Sequence, residues 1–196
     1  MLSWTECLEV MMKSKKKSTL KIWISVFVVS AILTYLLNPG VEYIYPLKYE
    51  EQIEEYSHKY ELDKYLVMGI ISSESNFDPD ARSNKDAHGL MQIKDETALW
   101  CVEEFEIDVS KDKVREPEVN IQIGCAYMRY LIDTFGGNTI TAIAAYNAGP
   151  GNVENWLNDP RYSDGHGELL RIPFSETSAY VTKVQKRAKI YKKIYG

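Results

Sequence analysis

The chain has 196 residues, 45% of them hydrophobic, and a formal net charge of −5. It is long enough to bury a real core without disulfide staples. The acidic balance, with no basic patch interleaved with aromatics, excludes nucleic acid as a partner class and long-range attraction to an anionic surface.

The first forty residues differ from the rest. Five lysines, Lys13, Lys15, Lys16, Lys17 and Lys21, precede "IWISVFVVSAILTYLL" at 22–37, which carries no charge. With Leu20 and the flanking tyrosines this stretch approaches the ~17–25 residues that span a bilayer. The lysines place 1–21 in the cytoplasm. The expectation is an uncleaved transmembrane anchor at 22–37, a juxtamembrane linker at 38–47 and an extracytoplasmic domain at 48–196. A cleaved signal peptide competes, but "TYLLNPGVEY" is bulky where a small-residue site belongs. A buried core helix is the third reading. The part after residue 38 holds 18 basic and 26 acidic side chains, a net −8.

"KYEEQIEEYSHKYEL" reads as a charged amphipathic helix. Asp63 is placed to cap the next, "KYLVMGIISSES", which is apolar on most sides and so expected at the centre of a core. "NFDPDARSNKDAHG" is a loop of turn formers. Asp95 is expected to cap "ETALWCVEEF". Pro117 opens "EVNIQIGCAYMRYLIDTF", which Gly136-Gly137 ends. "TITAIAAYNAGPG" is a short apolar helix closed by Gly149-Pro150-Gly151, and "NVENWL" a brief one. Ser175 is expected to cap the long final helix, "ETSAYVTKVQKRAKIYKKIY". No alternating strand pattern stands out, although "DGHGELLRIP" could hold a short extended piece. The fold class is mainly α, in one domain behind the anchor.

Cys101 and Cys125 fit either one disulfide or two buried free thiols, and spacing does not choose. His58, His88 and His166 are scattered, no Cys/His cluster has metal-ligand spacing, and neither metal nor cofactor is expected.

Glu74 stands where the apolar helix gives way to the polar loop. Burial against apolar walls raises a carboxylate's pKa, and such a group can protonate a glycosidic oxygen. The plain alternative is a solvated glutamate at a frayed helix end. Four blocks weigh against it: "ES.F.P.A.S" from Glu74, "GLMQI", "AAYNAGPG" and "ETSAYVTKV". In that order they resemble the lytic transglycosylase family, from about Tyr60 to Tyr191. The resemblance implies a lysozyme-like, mostly helical fold with Glu74 as the catalytic acid. It further implies a substrate groove with Ser83, Met91, Gln92, Tyr146, Asn147, Glu176 and Tyr180. All but Gln92 have a bland reading: loop satisfaction for Ser83, core for Met91, a turn for Asn147, packing for the tyrosines, a favoured helix end for Glu176. One departure is Asp86, where the family usually has glycine; aspartate tolerates the left-handed region better than most residues.

Glycosidases normally need two carboxyl groups, and none of the other aspartates and glutamates sits in a motif that marks it as the second. The resemblance implies a route with one: the 6-hydroxyl of N-acetylmuramic acid attacks its own C1 and gives a 1,6-anhydro sugar. The implied partners are peptidoglycan glycan strands and, through the N-terminal helix, a membrane. A goose-type-lysozyme-like hydrolase and a non-catalytic wall-binding assembly module are the rival readings.

Overall fold

The computed structural model describes residue 19, residues 21–34 and residues 40–196. Two compact units are present, Met1–Pro46 and Leu47–Gly196. In the first, residues 21–34 are helical and exposed on every side, with Trp23 71% and Phe27 75% exposed. Among the described residues no helix is long and apolar enough to cross a membrane. The last three residues of the expected span, 35–37, lie outside the described residues, as does nearly all of the expected cytoplasmic segment.

The second unit is mainly helical, as expected. Its helices are α1 (Glu50–Lys59), α2 (Lys64–Glu74), α3 (Asp95–Glu104), α4 (Pro117–Thr134), α5 (Thr139–Ala148), α6 (Pro150–Leu157) and α7 (Ser175–Tyr195), with a 3-10 turn at Lys111–Lys113. Helix α2 is the centre. Asp63 caps it as expected, its side chain accepting from the Tyr65 amide at 2.8 Å. Leu66 through Ser72 are all buried. Burying each large aliphatic among them contributes about 1.5–3 kcal/mol, which overrides the mixed helix propensity of a Val- and Ile-rich segment.

Helix α7 packs along α2. The approach is close because of Gly69: a Cβ there would sit 2.9 Å from the Val184 carbonyl oxygen and 3.0 Å from the Ala188 nitrogen. Both clashes are with backbone, so neither can relax cheaply. Helix α5 packs on α4, α6 and α7, while α1 bridges α2 and α4. Cys101 and Cys125 are free and buried, so the disulfide is absent and the thiol reading holds. Burial pushes the Cys101 thiol up to about 12.

Two expected caps do not form. Asp95 is already helical, and its carboxylate takes the Arg115 guanidinium, Nε to Oδ1 at 3.2 Å. Ser175 is likewise the first helical residue, preceded by Phe174 at the cap with no side-chain bond. Pro117 does open α4. The Gly149-Pro150-Gly151 stop is divided: Gly149, at φ 86, closes α5, while Pro150 opens α6. Between α2 and α3 lies an unexpected antiparallel pair, β1 (Ala87–His88) with β2 (Ile93–Lys94). Strands of two residues are too short to print an alternation in sequence. The "DGHGELLRIP" stretch supplies a single bridge, Ser163 to Leu169.

Candidate active site

Glu74 is the last residue of α2. Its helix brings it out of the core at the edge of a cleft of ≈ 590 Å³. The cleft is also lined by Ser83, Lys85, Gln92 and Lys94 from the loop and hairpin, Glu96 and Thr97 from α3, Tyr127 from α4, Tyr146 and Asn147 from α5, and Glu176 from α7. Tyr180 donates to Glu74 Oε1 at 2.6 Å from behind. Two effects compete at this carboxyl. Loss of water raises its pKa; the Tyr180 hydroxyl and the Lys183 ammonium lower it. Desolvation wins, and Glu74 is pushed from the ordinary 4.5 up to about 7. Lys183 stays at hand because its ammonium donates to the Ser73 carbonyl at 2.7 Å.

The loop opposite is held by its own polar groups. Ser75 Oγ donates to the Leu90 carbonyl at 2.8 Å. Ser83 Oγ accepts from the amides of Lys85 and Ala87 at 3.2 and 3.0 Å. The Gln92 side-chain amide donates to the carbonyls of Ala81 and Gly89, at 3.0 and 2.9 Å. Tyr146 Oη donates to the Met91 carbonyl at 2.9 Å. Asp86 stands at φ 56, the left-handed region that glycine enters freely, and Arg82 pairs with its carboxylate at 2.7 Å. The substitution for glycine is therefore accommodated without a change of hand.

Asn120, which sequence reading passed over, ties the hairpin to α4. It is 2% exposed; Oδ1 accepts from the Met91 amide at 2.8 Å and Nδ2 donates to the His88 carbonyl at 3.1 Å. Gly89, at φ 75, packs so tightly on it that a Cβ would meet the Asn120 amide at 2.9 Å. The available signal was an amide, Asn120, three and four residues before Ile123 and Gly124 on the apolar face of a core helix, since a buried amide needs partners.

With this geometry the likeness to known proteins is specific. The family model "Transglycosylase SLT domain" matches residues 51–166. The chain belongs to that family. Over 159 residues it is 38% identical to the soluble lytic murein transglycosylase of Escherichia coli strain K12, covering 80% of this chain and 25% of that one. It is 33% identical over 174 residues to the membrane-bound lytic murein transglycosylase C of Edwardsiella ictaluri, covering 75% of this chain and 47% of the other. The X-ray structure of an inactive Glu-to-Gln mutant of the lytic transglycosylase Slt from Pseudomonas aeruginosa superposes with a TM-score of 0.70 at 35% identity, over 78% of this chain and 25% of that one. This SLT-domain chain thus spans about a quarter of the length of the soluble relative.

The SLT-domain cleft gathers six of the eight residues singled out from sequence: Glu74, Ser83, Gln92, Tyr146, Asn147 and Glu176. Glu176 sits at the rim, 77% exposed, with Lys85 Nζ 3.9 Å away. Asn147 accepts from Thr177 Oγ1 at 2.8 Å, fixing the start of α7 against the end of α5. Two residues lie outside the lining. Met91 is 0% exposed and packs on Gly124, where a Cβ would come within 2.2 Å of its sulfur. Its expected place in the groove is corrected: it supports the wall from inside the core, and only its backbone carbonyl and amide bear on the loop. Tyr180 is 9% exposed and meets Glu74 rather than open groove.

Proposed function

We propose that this protein is a membrane-anchored, extracytoplasmic lytic transglycosylase. It cleaves the β-1,4 bond between N-acetylmuramic acid and N-acetylglucosamine in peptidoglycan without water and leaves 1,6-anhydro ends. The observation that carries the reading is Glu74: a half-buried carboxyl at the lip of the cleft, held up to about 7, with one oxygen engaged by Tyr180. Glu96 and Glu176 also line the cleft, but both are exposed.

Near neutral pH a group titrating at about 7 is present both as acid and as base, which suits one residue serving in turn as each. Tyr180 occupies Oε1, so Oε2 faces the glycosidic oxygen and delivers the proton. As the bond breaks, positive charge spreads over the ring carbon and oxygen, and the sugar's N-acetyl carbonyl shelters it. The ionised Glu74 then accepts the proton of the 6-hydroxyl while that oxygen closes on C1. The attacking hydroxyl belongs to the same sugar, and its proximity does the work a second carboxylate does in a hydrolase. Tyr146 holds the Met91 carbonyl, so its own contribution is to fix the wall bearing Gln92 rather than to donate to the sugar. The helical residues 22–34, uncharged and exposed on all faces, together with the five lysines before them, support the anchor.

The test is product analysis by mass spectrometry on purified peptidoglycan. The wild-type chain should release anhydro-muropeptides and Glu74→Gln none. Products heavier by one water would make the protein a hydrolase, and binding without turnover a wall-binding module.

A further inference from the structure

We infer that the aromatic seam between α3 and α4 is a second sugar-binding platform, continuous with the cleft, which stacks a neutral N-acetylhexosamine of the same glycan strand. The inference rests on the glycan reading above. Glu96 and Thr97 line the cleft. Trp100 follows them by four and three residues, so it lies on the same face of α3, one turn further out. Tyr127 lines the cleft as well, and Tyr130, three residues on, stands in the same relation to it along α4. The two helices therefore continue the cleft's wall with rings.

The rings touch in sequence. Tyr146 and Tyr127 have centroids 5.6 Å apart; Tyr127 and Tyr130 stack at 6.4 Å and 17°. Trp100 meets Tyr130 edge-on at 4.9 Å and is 36% exposed as a residue. A tryptophan so placed offers a rigid apolar face with a polar edge, which matches the C–H face and hydroxyl rim of a pyranose. Charge selects the occupant. Glu103 and Glu104 are exposed on the last turn of α3, and the Glu103 carboxylate holds Lys111 at 2.9 Å. With Glu103 matched by Lys111, the exposed Glu104 is the acid left to disfavour an acidic muramyl peptide, and an uncharged N-acetylglucosamine meets no such penalty.

The measurement uses the full chain carrying Glu74→Gln, in detergent, titrated calorimetrically with alternating glycan strands of four and eight sugars. The eight-sugar strand should bind more tightly, and adding Trp100→Leu should cost it about tenfold while leaving the four-sugar strand unchanged. Trp100→Phe should keep the preference. Equal affinity for the two lengths with Trp100 in place, or no loss on Trp100→Leu, overturns the platform and leaves the transglycosylase reading standing. Hydrogen exchange on the chain with Trp100 intact is the check that needs no change at the seam. Protection of residues 96–105 and 127–130 by the eight-sugar strand alone supports the platform, and unchanged exchange overturns it. Absence of anhydro products from the chain with Glu74 intact overturns the reading of the site, and the platform's occupant falls with it.

Discussion

Glu74→Gln should cost the protein its chemistry and make it harder to unfold, and only at the higher pH. In the unfolded chain the carboxyl titrates near 4.5; in the folded chain it is held up to about 7. Below 4.5 both states carry the proton, and the group adds nothing to the pH dependence. Between 4.5 and 7 the unfolded state gives the proton up while the folded state keeps it, so stability falls as pH rises. Above 7 both are ionised and the full penalty of a poorly hydrated carboxylate remains. At 1.36 kcal/mol per pKa unit that penalty is about 3 kcal/mol. Glutamine keeps the shape and still accepts from Tyr180, without the charge. Thermal unfolding of the full chain in detergent, followed by circular dichroism, should show Glu74→Gln above wild type by about 6–12 °C at pH 8. At pH 4 the two should coincide, because every other titrating group is common to both. A gain of equal size at both values, or none at pH 8, would refute the claim that the cleft strips water from Glu74.

Tyr180→Phe removes the hydrogen bond that favours ionised Glu74, so the carboxyl's pKa climbs further. The alkaline limb of the pH profile for anhydro-product release should move up, and the rate at its optimum should fall by about 10–100-fold as the acid loses its orientation; a lower rate with an unmoved limb would assign Tyr180 to packing alone. Asn120→Ala leaves the Met91 amide and the His88 carbonyl unpaired beneath the hairpin. Denaturant titration should register a loss of about 2–4 kcal/mol, with turnover falling because the Gln92 wall slackens.

What could be read beforehand was set by local rules or by residues whose spacing is itself the signal. Asp63 capping α2, Pro117 opening α4 and the apolar run ending in Glu74 all act within one or two turns of chain. The left-handed demand at Asp86 was legible because one residue stands where glycine is usual. Interactions between distant segments were not legible. Asn120 serves the hairpin across some thirty residues, and Tyr146 spends its hydroxyl on Met91 55 residues away. Met91 was placed in the groove because its neighbour Gln92 lines it. Gln92 stands at φ 49, so backbone direction changes between the two and their side chains part company. Ser175 and Asp95 looked like caps by type, but the helices begin at those residues, with Phe174 and Lys94 before them.

The carboxyl of Glu74 and the hydroxyl of Tyr180 are separated by 106 residues of chain. A polypeptide emerging from the ribosome therefore shows its proton donor early and its proper surroundings last. Until the final helix has been made and laid along the groove beside Gly69, the carboxyl stands in water as an ordinary, ionised side chain. A nascent chain thus holds Glu74 in its ordinary ionised form until Tyr180 arrives to meet it.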